Sequence, residues 1–211
     1  MSSNPEYGIW MRLIRIARWA DRPVVLVGQA VSWLMLPLIA IIIFDAISRR
    51  YLRKLSFVIE NNLHDWLNSP VLQDSEWHLH TVIFLCAIGY AYSRNAHVRL
   101  DIFRPRLGER GRLAVELLGG LFLLLPFLAI FTYYAWGFFW SAWLVDENSG
   151  PSNGIDHRWV IKFFVFLGPL LLFLSGLSMV LRLVVRLFGP PGLAAEADVE
   201  KIAGSSFSAF N

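Results

Sequence analysis

Histidine and cysteine are the side chains of this sequence best suited to hold a metal or a haem, and their placement argues against both uses. The chain has five histidines and one cysteine. A two-histidine haem site of a membrane cytochrome needs imidazoles inside spanning helices, facing one another across the bundle. His64, His97 and His157 fall in connecting segments. His78 and His80 stand two apart at the entrance of an apolar block, so they point to different faces of one helix. Cys86 lies inside that block and reads as a small apolar residue, with no second cysteine for a disulfide or a metal cluster. There is no HExxH, no phosphate-cradling GxxxxGK(S/T) and no Ser/His/Asp arrangement with a spacing signal. The expectation is a protein that is not an enzyme and has no cofactor, metal or catalytic residue.

The elements around these residues are apolar. With 56% hydrophobic residues and only 17% charged, the chain has the composition of an integral membrane protein. Four apolar blocks, near 24–44, 77–92, 113–136 and 163–183, carry no charge at their centres. A spanning helix needs about 20 apolar residues. The second block is the shortest, because Glu76 and Arg94 bound it and His78 and His80 occupy its first turn. The predicted fold is all-α: four transmembrane helices near 24–47, 77–93, 113–140 and 160–183, an N-terminal amphipathic interfacial helix, and a second interfacial helix in the first outer loop. The domains expected are an amphipathic arm over 1–23, a membrane domain over 24–185 and a flexible cytoplasmic tail over 186–211. Proteins that move ions through their own spans keep polar groups at mid-depth. Their absence here points to a membrane-embedded part of something larger, and no span shows the polar stripe of a stand-alone channel.

Positive charge sets the orientation. Arg12, Arg15, Arg18 and Arg22 precede the first block, Arg94 to Arg112 fill the second connection, and Arg182, Arg186 and Lys201 follow the fourth. They outnumber Arg49, Arg50, Arg53, Lys54, Arg158 and Lys162 on the opposite side. Both termini are therefore expected in the cytoplasm, in the inner membrane, with the basic run from Arg49 to Lys54 as the dissenting cluster. The first block starts too late, and without a small-residue cleavage site, for a signal peptide. The N-terminus is expected to be retained, and no fused partner to follow the fourth span.

Two segments outside the blocks have helical periodicity. From Trp10 to Arg22 the arginines recur along one face, while Leu13, Ile14, Ile16, Ala17 and Ala20 gather on the other. Arg12, Arg15 and Arg18 are placed to meet anionic lipid headgroups, with Trp10 and Trp19 at the boundary, or to dock a partner. Leu52, Leu55, Ile59, Leu63 and Trp66 form the second stripe, ended by Asn68-Ser69-Pro70. Pro37, Pro126 and Pro169 fall inside spans and are expected to kink them for packing. Gly119-Gly120 and Gly168 permit close helix approach.

The connection between the second and third blocks is the most distinctive stretch. Gly89-Tyr90-Ala91-Tyr92 is followed by a short polar hinge and then His97-Val98-Arg99-Leu100-Asp101 with a basic run into the third block. With Asp146-Glu147-Asn148-Ser149, Arg158-Trp159-Val160-Ile161-Lys162 and Gly168-Pro169, it resembles the small membrane subunit of TRAP transporters, the DctQ type, over roughly residues 24–185. The resemblance implies a three-part importer of organic acids: a periplasmic substrate-binding protein, a large DctM-type membrane subunit driven by sodium, and this small subunit supporting the large one. The candidate partner or lipid contacts are Arg12, Arg15, Arg18, Trp19, His97, Arg99, Asp101, Glu147 and Arg158. Arg99 and Asp101 can pair with each other or with another chain, or serve only as a topology signal. Glu147 is placed either to orient the fourth span or to receive an extracytoplasmic protein. The alternative from another class is a quinone- or haem-associated membrane anchor of a redox enzyme, for which His78 and His80 are the only candidates.

Overall fold

A computed structural model describes residues 5–52, 55–60, 70–96, 107–148, 154–193 and 197. The described residues are helical, without strands. Helix α1 runs Pro5–Ser32, α2 Met35–Arg50, α3 Ser56–Glu60, α4 Pro70–Ser93, α5 Glu109–Gly119, α6 Leu125–Leu144 and α7 Trp159–Phe188. A wide helical turn over Gly120–Leu124 joins α5 to α6, and a 3-10 turn at Pro191–Leu193 follows α7. Among the described residues, three stretches are long and apolar enough to cross a membrane: Tyr7–Arg50 taken across its break, Glu109–Leu144 and Trp159–Phe188.

Proline places the breaks. Pro37 has no N–H, and its ring crowds the carbonyl four residues back, at Trp33. The α1–α2 break falls there, at Trp33 and Leu34. Pro126 acts likewise on the carbonyl of Phe122, and the helix widens so that the Leu125 N–H reaches back five residues to Gly120. Pro169 is carried within the continuous α7.

Helix α7 is the axis of the bundle, packed against α4, α6 and α1, while α4 also packs on α1 and carries α2. At 30 residues α7 is about 45 Å long, well beyond the roughly 30 Å of a bilayer's hydrocarbon. Its seam with α4 is set by glycine. A Cβ on Gly89 would lie 2.9 Å from the Leu171 carbonyl carbon, and one on Gly168 would lie 2.8 Å from the Leu85 carbonyl oxygen. The two backbones meet at a distance that no side chain permits. Of Gly119-Gly120, only Gly120 stands against a neighbour, Val180 of α7.

The arm is not a separate element. One helix runs from Pro5 through residue 23 to Ser32, with Ile14 (1% exposed), Ala17 and Val24 on its inward face. Where the sequence places this apolar face in the membrane interface, the structure seats Ile14 in a protein core with Leu113, Met179, Leu183 and Val185. The outward face keeps Arg12, Arg15, Arg18, Trp19 and Arg22 exposed. The start of the tail also differs from expectation. Helix α7 continues past residue 186 to Phe188, and Leu193 and Ala197 return to the same core. Leu193 and Ala197 gain by covering apolar surface around Ile14 of the arm. Of the second interfacial stripe, α3 is described, with Val58 buried and Phe57 exposed; the Ile59 side chain, Leu63 and Trp66 lie outside the described residues.

Candidate functional site

The helices bring polar side chains together at two ends of the bundle. At the hairpin end, the α6–α7 connection meets the start of α4. Asp146 and His157 both take left-handed backbone conformations, with φ of 42° and 60°, at which the chain turns out of α6 and into α7. The Asp146 carboxylate accepts from His157 Nδ1 at 2.7 Å and from the Trp159 indole at 3.1 Å. The Arg158 N–H donates to the Glu147 carbonyl at 2.7 Å, while the Glu147 carboxylate pairs with Lys162 on the first turn of α7. The Lys162 ammonium also stands 4.1 Å from the centre of the Phe138 ring, a cation–π contact. Beneath these groups Trp143 meets Trp159 edge-on at 4.4 Å, and Phe139 meets Phe163 at 5.4 Å.

The start of α4 is tied to the same loop. Asp74 accepts from the Ile155 N–H at 2.9 Å and from the Trp77 indole at 2.9 Å, and its own carbonyl meets His78 Nδ1 at 2.6 Å. Only glycine at position 154 lets this carboxylate approach, since a Cβ there would lie 1.9 Å from Asp74 Oδ2. The Trp77 indole, and then the Ile155 amide, hold the Asp74 carboxyl below the usual carboxylate range. His157 lowers Asp146 in the same way, and Asp146 in return raises His157. The hairpin end is thus an ionised, hydrogen-bonded surface, with His157 and Asp146 each about 60% exposed.

At the arm end a charged pair is sunk between helices. Arg182 of α7, 8% exposed, donates to Asp21 of α1 at 2.6 Å, to Ser178 at 3.2 Å and to the Ala197 carbonyl at 3.2 Å. One guanidinium therefore joins the arm, the last helix and the returning tail. Arg186 adds a 3.0 Å contact to Glu109 of α5. The exposed row Arg12, Arg15, Arg18 and Arg22 lies on the other side of α1, with Arg22 stacked over Trp19 at 5.8 Å.

The sequence-predicted contacts fall on both ends. Glu147 and Arg158 meet at the hairpin end, and Arg12, Arg15, Arg18 and Trp19 share the outward face of α1. His97, Arg99 and Asp101 lie outside the described residues. Sequence reasoning missed Asp74, Asp146, His157 and Lys162 as a cluster, and missed Asp21 with Arg182. For Asp21 a signal was present: at helical spacing it shares a face with Ile14, Ala17 and Val24, where a carboxylate needs a cation.

The family model for tripartite ATP-independent periplasmic transporters, DctQ component, matches residues 38–186. The chain belongs to the DctQ family. It is the small membrane component of a TRAP transporter, a family whose members associate with a DctM subunit and a binding protein. Comparison with curated proteins and with solved structures gives no match. The matched residues of this DctQ chain begin inside α2 and end on α7, so they contain the whole hairpin end. At the arm end they contain Arg182 and leave out Asp21 with the rest of α1.

Proposed function

We propose that this DctQ chain is the static membrane scaffold of a sodium-coupled importer of organic acids, and that it carries no substrate itself. The observation that supports this most directly is the family match across the bundle. In this reading α4 is the second of four spans: it packs against α7 and α1, and Asp74 in its first turns is engaged by the hairpin loop. Both termini lie in the cytoplasm of a bacterial inner membrane, with the exposed arginine row of α1 against anionic headgroups and Trp19 at the boundary. The hairpin end then faces the periplasm and offers Glu147, Arg158 and their neighbours to the binding protein. The large subunit holds the substrate and sodium sites, and the glycine-fitted seam of α4 and α7 gives it a rigid body to move against. His97, Arg99 and Asp101 contact the large subunit from the cytoplasmic side.

Reconstitution tests this division of labour. Liposomes containing the large subunit, this chain and the binding protein take up the organic acid on a sodium gradient, and liposomes containing this chain alone take up none. Sodium-driven uptake by this chain alone would overturn the reading. Co-purification of this chain with the large subunit from membranes is the second expected result.

A further inference from the structure

Helix α6 turns its buried residues, Leu128, Ala135 and Ala142, toward α7. Its opposite side carries Tyr133, Gly137 and Ser141 at four-residue intervals, with Tyr134 beside them, and all four are exposed. Tyr133 and Tyr134 are 73% and 70% exposed, and their rings meet edge to face at 5.5 Å. Among the described residues neither hydroxyl finds a hydrogen-bond partner.

The depth of those hydroxyls creates a demand. The uncharged stretch between Glu116 and Asp146 has its middle at Phe131, so at 1.5 Å per residue both tyrosines stand within about 5 Å of the membrane midplane. The neighbouring helix agrees. Trp136 meets Phe166 at 5.1 Å and Leu124 packs on Gly176, and between those two contacts lies Leu172, midway between Lys162 and Arg182. The headgroups begin about 15 Å from the midplane, farther than a phenol reaches from its backbone. Acyl chains hold neither water nor any other acceptor, so a lipid-covered tyrosine at this level leaves its O–H unmet.

Gly137 supplies a second, independent observation. A Cβ there would meet nothing within 4 Å, whereas Gly89 and Gly168 on the seam of α4 and α7 are already filled by a neighbouring backbone. With Ser141 one turn on, Gly137 makes the small-xxx-small notch through which spanning helices approach closely, and it opens away from this bundle.

We propose that this side of α6 docks a spanning helix of the large subunit, its ridge in the notch of Gly137 and Ser141 and its hydrogen-bond acceptors against the Tyr133 and Tyr134 hydroxyls. The assignment rests on the scaffold function proposed for the chain. Polar complementarity selects the occupant. Acyl chains fit the notch but bring no acceptor. A second copy spans the membrane in the same direction, and a symmetric contact through the notch would set Tyr133 against Tyr133 one turn away and hold the helices apart. Subunits that bind substrate near the midplane are built with interrupted helices, whose free carbonyls stand at the depth of these phenols.

The test uses native membranes holding the complete transporter. A photoreactive benzoylphenylalanine in place of Tyr133 is expected to form its adduct with the large subunit. An adduct with a second copy of this chain, or with lipid alone, overturns the assignment. Tyr133→Phe with Tyr134→Phe keeps both rings and is expected to weaken retention of the large subunit on the purified chain about tenfold. Gly137→Leu is expected to abolish retention while the isolated chain keeps its melting temperature, because the new side chain enters space that this fold leaves open. Wild-type retention by either variant overturns the assignment and leaves the scaffold reading standing. A wild-type chain that retains no large subunit overturns both. Should Gly137→Leu lower the melting temperature of the isolated chain, the tyrosine pair decides alone.

Discussion

The two ends of this bundle use charge in opposite ways. At the hairpin end Asp146, His157, Glu147 and Lys162 form several shallow contacts on one short connection, half open to water. At the arm end one guanidinium, Arg182, is 8% exposed and joins α1, α7 and the returning tail. The difference is one of dielectric. Exposed ion pairs contribute little because water competes for both partners and salt screens them. A buried pair gains more from its Coulomb term but penalises any change that leaves one charge alone. The hairpin end can therefore tolerate substitution and serve as a recognition surface, while the arm end fixes how α1 sits on the bundle.

The sharpest way to break this comparison is to remove the partner of the buried Arg182. Asp21→Ala, which strands Arg182, is expected to cost about 3 kcal/mol by thermal unfolding in detergent, and Asp21→Asn with Arg182→Met to recover most of that loss. If the single and double variants are equally destabilised, the pair is not the latch at the arm end. Next in size is the seam between the two ends. Gly168→Val is expected to destabilise by about 2 kcal/mol, because its Cβ alone reaches 2.8 Å from the Leu85 carbonyl oxygen. A wild-type melting temperature would show that α4 and α7 are free to separate.

A smaller effect is expected at the hairpin. Glu147→Gln is expected to lower stability by less than about 1 kcal/mol, since its partner pair is partly exposed, with side chains 34% and 17% accessible. A loss as large as that of Asp21→Ala would erase the contrast. The smallest effect concerns pH. His157 is raised above its ordinary value by Asp146, and Asp146 is lowered by His157. The His157 contribution to the loop is therefore complete below the ordinary histidine pKa of about 6.5 and fades as pH rises through the raised folded value. The Asp146 contribution is complete above its ordinary value of about 3.9 and fades as pH falls through the lowered one. An NMR titration of the His157 ring should show its pKa falling back in Asp146→Asn, with global stability unchanged. An unshifted ring would mean that the pair is not formed.

The apolar blocks, Pro37 and Pro126 as break points, and Gly168 as a point of close approach were legible in the sequence because each depends on local properties: hydropathy over some 20 residues, a missing N–H, a missing Cβ. Glu147 and Arg158 were legible as candidates for the same reason, standing as charges beside a span. The pairing Glu147 with Lys162 was not, since it depends on how the loop returns over α7. Gly89 carried no signal of its own either; it matters only because Leu171 passes over it.

What the sequence by itself determined is the class and the family: an apolar helical chain, with a motif between its second and third blocks that resembles the DctQ type, as the family match bears out. What only the tertiary structure decided is which polar groups meet. Asp21 and Arg182 lie 161 residues apart, and Asp74 and Ile155 lie 81 apart. Periodicity assigns each residue to a helix face, but it does not say which faces come together. That depends on the crossing of helices, set here by a few missing side chains along α4 and α7, and a charge declares its partner only after the helices have met.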